Sequence, residues 1–187
     1  MMMQPTLDTA RLTLRPFQLS DAKRVQELAG NIEVARTTLG IPHPYPIEAA
    51  ESWIEAAWQF AERGERYAWA MAEKENDTLL GCMSIGVTKA HQRAELAYWV
   101  GRPYWGQGYA TEAAKRVVAF GFEELALNRI FAAAMSKNPG SYTVMIKLGM
   151  KKEGEMKQHL LKWETFEDLV YYGLLRSDYE AARGEGV

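Results

Sequence analysis

Apolar positions along the chain change period several times, and each change marks an element. RLTLRPF (11–17) sets Leu12, Leu14 and Pro16 against Arg11, Thr13 and Arg15. Such alternation predicts a half-buried strand, and Pro16, which cannot donate to a ladder, puts it near a sheet edge. Ser20 and Asp21 are helix-start residues ahead of AKRVQELAG. GIPHPYP (40–46) breaks the pattern. From Ile47 to about Arg63 the period is helical, with Trp53, Ile54, Ala57, Trp58 and Ala61 on one face. Strand patterns return in RYAWAMAE (66–73), TLLGCMSIGV (78–87) and RAELAYWV (93–100). The polar turn ENDT makes a hairpin of the first two, and TKAHQ leads into the third. Residues 109–125 fit a helix through Ala110, Ala113, Ala114, Val117, Val118, Gly121 and Leu125. RIFAAAM (129–135) is continuously apolar, as expected of a strand buried on both faces. NPGSYTVMIKLGM (138–150) reads as a short helix with Asn138 as N-cap, Pro139 at the first position and Gly149 as the stop. MKKEGEMK and FEDLVYYGLLR are two closing strands, and the tail ARGEGV is expected to fray. This order predicts an α/β sandwich with a mixed sheet, a single domain over 1–187 with its core at about 11–176.

Composition narrows the function classes. The chain has 187 residues, 48% apolar content and a net charge of −2. A general nucleic-acid binder would be clearly basic, so no nucleic-acid partner is expected. Cys82 is the single cysteine, which excludes an intrachain disulfide and a cysteine-based zinc site. His43, His91 and His159 are too scattered for a metal helix, so no metal is expected. MMMQPTLDTARL lacks the basic and apolar regions of a signal peptide, and no apolar run approaches the roughly 18 residues that span a bilayer. A soluble cytoplasmic protein without a membrane partner is expected. The triple Met hints at an uncertain start site.

The most informative stretch is YWVGRPYWGQGYATE (98–112). A strand runs into closely spaced glycines and then straight into a helix. Backbone N–H groups converging on a helix N-terminus suit a phosphate, and Gly106 and Gly108 let the chain approach one. A tight loop with no ligand would look the same from the glycines alone. A dinucleotide fingerprint needs a third glycine where Thr111 stands, and a P-loop needs Gly-Lys-Ser/Thr; neither is met.

A third pattern fits. Trp105-Gly106-Gln107-Gly108-Tyr109-Ala110 resembles the Gln/Arg-x-x-Gly-x-Gly/Ala loop of the GNAT superfamily of N-acetyltransferases, with Trp105 departing at the first position. YWVGRPYWGQGYATEA is similar to the branch that includes the bacterial ribosomal-protein N-terminal acetyltransferases. RLTLRPF, IPHPYP, Asn138-Pro-Gly-Ser141, the LGM turn and DLVYYGLL each have counterparts there, so the resemblance covers roughly 11–176. It implies a mixed, mostly antiparallel sheet of about seven strands flanked by about four helices. It also implies acetyl-CoA as cosubstrate, an amine acceptor and direct attack in a ternary complex. The loop residues Trp105, Gly106, Gln107, Gly108, Tyr109, Ala110 and Thr111 would then meet the cofactor, with Trp99, Val100, Asn138 and Ser141 beside them. By resemblance, the backbone of Val100 holds the pantetheine arm and can donate to the thioester oxygen.

Acetyl transfer needs an uncharged amine, a stabilised thioester oxygen and a protonated leaving thiolate. Glu95 shares a strand face with Ala97 and Trp99, where it is either solvated or placed beside the amine as a general base. Ser141 lies one helical step from Asn138; similar enzymes place a serine here to protonate the thiolate, against a plain packing role. Many GNAT enzymes use a tyrosine further along this helix, where Met145 stands here. Tyr142 points elsewhere. His159 is an exposed residue or a second base, Cys82 a buried inert thiol, and Arg102 a solvated residue or a phosphate partner.

On the acceptor side, IPHPYP and the helix with Trp53 and Trp58 should form a wall, the tryptophans serving as core. Pro46 replaces the threonine cap common in that branch. Trp163, Phe166, Glu164, Glu167 and Asp168 cluster near the closing hairpin and would favour a cationic amine or basic peptide, or simply be solvated. The expected acceptor is an N-terminal α-amine of a protein or peptide. A polyamine, amino sugar or amino acid is the alternative, and a non-catalytic CoA-binding module a third. Similar proteins are commonly homodimers, although no residue here argues for one.

Overall fold

A computed structural model describes residues 4–184; the triple Met and the last three residues of the tail lie outside it. Eight strands form one sheet in the order β1-β2-β3-β4-β5-β6-β8-β7. They are β1 (Leu7–Asp8), β2 (Leu12–Pro16), β3 (Arg66–Glu73), β4 (Leu79–Thr88), β5 (Arg93–Val100), β6 (Arg129–Met135), β7 (Lys151–Lys162) and β8 (Thr165–Leu175). Six α-helices accompany them: α1 (Ala22–Ala29), α2 (Ile32–Ala35), α3 (Ile47–Arg63), α4 (Tyr109–Glu123), α5 (Pro139–Lys147) and α6 (Arg176–Arg183). Two-residue β1, four-residue α2 and α6 account for the excess over the expected seven strands and four helices. Among the described residues, no helix is long and apolar enough to cross a membrane.

The sheet separates two cores. On one face Trp69, Met83, Ile85 and Leu96 pack under Ala113, Val117 and Phe120 of α4 and Met145 of α5. On the other, Ala68, Ala70 and Cys82 pack under Val25 of α1 and Ile54 and Ala57 of α3. Each large side chain so buried contributes about 1.5–3 kcal/mol of transfer free energy. Burial pushes the Cys82 thiol up to about 12, so it stays protonated and inert. Trp53 packs edge-on against Phe17, and the Trp58 indole donates to the Phe17 carbonyl at 2.8 Å. Both tryptophans therefore serve structure.

Every strand pair is antiparallel except β5 with β6. These two pair in parallel only at Arg93↔Arg129, Ala94↔Ile130 and Glu95↔Phe131. Beyond Glu95 they part, β5 staying with β4 as far as Val100 and β6 following β8 as far as Met135. One expectation is corrected: β6 is not buried on both faces, since Phe131 and Ala133 are half-buried while Ile130, Ala132 and Ala134 are buried. The core under α4 and α5 covers only the face that carries Ile130, Ala132 and Ala134.

Candidate active site

The split opens toward the loop between β5 and α4. That loop makes a 3₁₀ turn at Arg102–Tyr104 and passes through Gly106 and Gly108, both left-handed at φ 73° and 81°. Such angles cost an L-residue with a Cβ about 1–2 kcal/mol, which is why glycine stands at both. A Cβ at Gly106 would meet nothing within 4 Å, and one at Gly108 only the Arg11 guanidinium at 3.6 Å. The glycines thus border open space.

No side chain caps α4, and its first backbone bond is Glu112 N–H to Gly108 O at 3.0 Å. Among the described residues, no protein oxygen accepts from the amides of Gly106, Gln107, Gly108, Tyr109, Ala110 or Thr111. Six consecutive donors without a protein acceptor thus lie at the positive end of a helix dipole, where negative charge is favoured. The Gln107 side chain folds back onto Pro103 O at 3.1 Å, leaving its amide as the group on offer.

Side chains brace this loop from behind. The Trp105 indole donates to Val100 O at 2.7 Å, and the Arg102 guanidinium lies 4.8 Å from its ring centre. Trp105 thereby ties the loop to the end of β5. Arg11 donates to Gln107 O at 3.1 Å and lies over the Tyr109 ring at 4.2 Å. Glu112 accepts from the Thr9 hydroxyl, the Arg11 amide and the Arg11 guanidinium at 2.6, 2.8 and 2.7 Å. Burial pushes the Glu112 carboxyl up, but these donors outweigh it and hold the group below the usual carboxylate value.

Across the split, the Asn138 side chain accepts from Ser141 N–H at 3.4 Å, the cap read from the sequence. Tyr142 stacks on Tyr172, and Met145, buried at the place of the tyrosine many such enzymes use, has no proton to donate. Ser141 instead meets Tyr98. The phenol donates to Ser141 O at 2.7 Å, and the Ser141 hydroxyl lies 3.1 Å from the phenol oxygen. Burial pushes Tyr98 up to about 12, against the pull of the Ser141 hydrogen bond. The sequence reading passed over Tyr98, yet a signal was present: RAELAYWV puts it on the core face of Leu96, and a tyrosine turned inward needs a partner for its hydroxyl.

Glu95 sits at the fork, the last β5 residue paired with β6, and it is exposed on the opposite face of β5 from Tyr98. Ala97 beside it is exposed too, so this face of β5 is open there. Trp99 on the same face packs, as do Ile41, Tyr45 and Ile47, against the core under α1 and α3. Its side chain thus lies on the side of the sheet that carries α1 and α3. The two proposed catalytic groups, Glu95 and Ser141, flank β5 from opposite sides.

The β7–β8 hairpin reaches the acceptor wall from a distance. Lys162 donates to Ile41 O at 3.0 Å, and the Trp163 ring lies 6.0 Å from His43. Its acids are largely committed: Glu167 pairs with Lys137, and Asp168 with Lys157 at 3.0 Å. The acidic mouth read from the sequence is therefore mostly neutralised. Glu164 is exposed at the tip. His159 is exposed and meets Tyr171 edge-on, away from the split. Among the described residues, no group of three or more His, Cys, Asp or Glu is arranged for a metal.

Comparison with known proteins carries the geometry further. The acetyltransferase (GNAT) domain profile matches residues 11–151. The uncharacterized N-acetyltransferase YoaA of Bacillus subtilis (strain 168) is 32% identical over 177 residues, covering 93% of this chain and 98% of YoaA. YdaF of the same strain, provisionally named a ribosomal N-acetyltransferase, is 27% identical over 92% of this chain and 95% of its own. The spermidine N(1)-acetyltransferase of Escherichia coli (strain K12) is 27% identical over 90% of this chain and 88% of its own. A GNAT-family acetyltransferase structure from Bacillus anthracis superposes with a TM-score of 0.82 at 25% identity, covering 92% of this chain and 99% of that one. The chain belongs to the GNAT acetyltransferases.

Proposed function

We propose that this acetyltransferase acts on the N-terminal α-amine of a protein or peptide. The observation that carries the cosubstrate side is the run of six amides without a protein acceptor, bordering open space at the start of α4. Those donors fit a pyrophosphate, with Val100 and the edge of β5 lining the path from the loop into the split. Acetyl-CoA supplies the activated acetyl group when bound. Glu95, exposed at the fork, takes the ammonium proton of the acceptor, directly or through water. Ser141 gives its hydroxyl proton to the departing sulfur and is reprotonated from solvent water. The Val100 amide stabilises the thioester oxygen. Asn138 holds Ser141 in place.

The α-amine reading is supported by the resemblance of roughly residues 11–176 to the ribosomal-protein branch and by the similarity to YdaF. A polyamine acceptor is the second reading. The contact of the hairpin tip with residues 41–43 favours it, since a wall closed there suits a slender amine entering end-on. The spermidine acetyltransferase relative points the same way. Free-thiol release from acetyl-CoA decides between them, using short peptides with Ala, Ser or Met N-termini on one side and polyamines, amino sugars and amino acids on the other. Peptide-dependent release is expected. Release with polyamines alone would replace the first reading by the second.

A further inference from the structure

The split between β5 and β6 is crossed by a side chain with no part in the chemistry so far. Tyr98 leaves β5 on its core face and reaches Ser141, 43 residues on, in the first turn of α5. We infer that Tyr98 is a positioning residue for acetyl transfer, holding Ser141 by its main-chain oxygen and its hydroxyl at once. The inference rests on the acid role proposed above for Ser141.

The direction of both bonds follows from donor counting. A phenol has one proton, and a carbonyl oxygen can only accept. At 2.7 Å from Ser141 O, the Tyr98 proton is committed there. The bond at 3.1 Å must then be donated by the Ser141 hydroxyl to the phenol oxygen. In the resting site the Ser141 proton therefore lies toward Tyr98, and for the acid role it swings to the departing sulfur while the bond to Ser141 O keeps the residue in place. Asn138 adds a third hold through the Ser141 amide. A serine in the first turn of a short helix would otherwise be free to rotate about χ1.

Tyr98 does not serve as the acid itself. Its phenol is pushed up to about 12 and stays protonated across the neutral range, so it remains a dependable donor to Ser141 O. The same bond fixes α5 to β5 where the two strands have parted. Tyr98 therefore sets both the orientation of Ser141 and the spacing of the split.

The test is a double-mutant cycle on turnover. Tyr98→Phe keeps the ring and removes the hydroxyl; Ser141→Ala removes the other partner. Thiol release is measured with an Ala- or Ser-terminated peptide, or with spermidine, whichever the wild type acetylates. Acetyl-CoA affinity is measured by calorimetry. Tyr98→Phe is expected to lower kcat about tenfold with acetyl-CoA affinity within about twofold of wild type, and to cost nothing further in the Ser141→Ala background. Ser141→Thr, which retains a hydroxyl, should keep the sensitivity to Tyr98→Phe. Effects that multiply in the double variant would overturn the inference. So would wild-type kcat in Tyr98→Phe, or a loss of acetyl-CoA affinity as large as the loss of kcat. Wild-type turnover in Ser141→Ala would instead remove the acid role itself, and the inference with it.

Discussion

The loop in front of α4 and the wall facing the acceptor are built on opposite plans. The loop is local and made of backbone: six amides in sequence, two left-handed glycines and the first turn of a helix. The wall is assembled from side chains far apart in the chain; Lys162 and Ile41, which meet there, are 121 residues apart. A backbone cradle depends on few side chains, and under the proposed function it would read the part of acetyl-CoA that never varies. A wall of side chains can change at any of its contributors without disturbing the fold. One half of the site can therefore stay constant across a family while the other is retuned for a new amine.

The comparison breaks most sharply at Gly108. Tryptophan there would need a left-handed backbone and would project an indole into the space before the amides. Acetyl-CoA affinity should fall about 100-fold or more, roughly 2.7 kcal/mol, by calorimetry. Unchanged affinity would mean the amides face nothing that matters.

At the fork, Glu95→Gln removes the proposed base and leaves the loop intact. Turnover should fall about 10²-fold or more at constant acetyl-CoA affinity, measured by thiol release. A loss of affinity instead would move Glu95 to the cofactor half.

The smallest effect is expected behind the loop, at Glu112→Gln. The carboxylate is only partly buried and its Arg11 partner is half exposed, so after screening the loss should be about 1 kcal/mol, or roughly 2–4 °C in Tm. Its carboxyl lies below the usual value when folded. The stabilisation is therefore complete above the unfolded value of about 4.3 and fades as pH falls through the folded one. Tm curves of wild type and Glu112→Gln should converge only once pH has fallen below the folded value. Parallel curves would show that charge plays no part in the strut.

Legibility followed the same division. The start of α4 at Tyr109, the N-cap Asn138 and the stop at Gly149 were legible because each rests on local backbone chemistry. α6 was not, since it buries no residue and is held by the stack of Tyr179 on Phe122, by Arg176 donating to the Leu127 carbonyl and by ion pairs, all with partners far back in the chain. The full length of β7 was hidden as well: it is exposed along most of its length, so no alternation marks it, and it turns into β8 through Trp163 and Glu164 at positive φ without a glycine. Tyr98 alternates with Leu96 on the core face of β5, and only its partner across the split reveals more. The neutralised acids of the hairpin depend on Lys137 and Lys157, lysines that spacing could not bring to them.

The central claim is that the amides at the head of α4 receive the phosphates. The direct measurement is a titration of ¹⁵N-labelled protein with acetyl-CoA, following backbone amides by NMR. The resonances of Gly106, Gln107, Gly108, Tyr109, Ala110 and Thr111 should shift downfield together and saturate at one dissociation constant. Acetyl-CoA that binds while those six stay still would contradict the account.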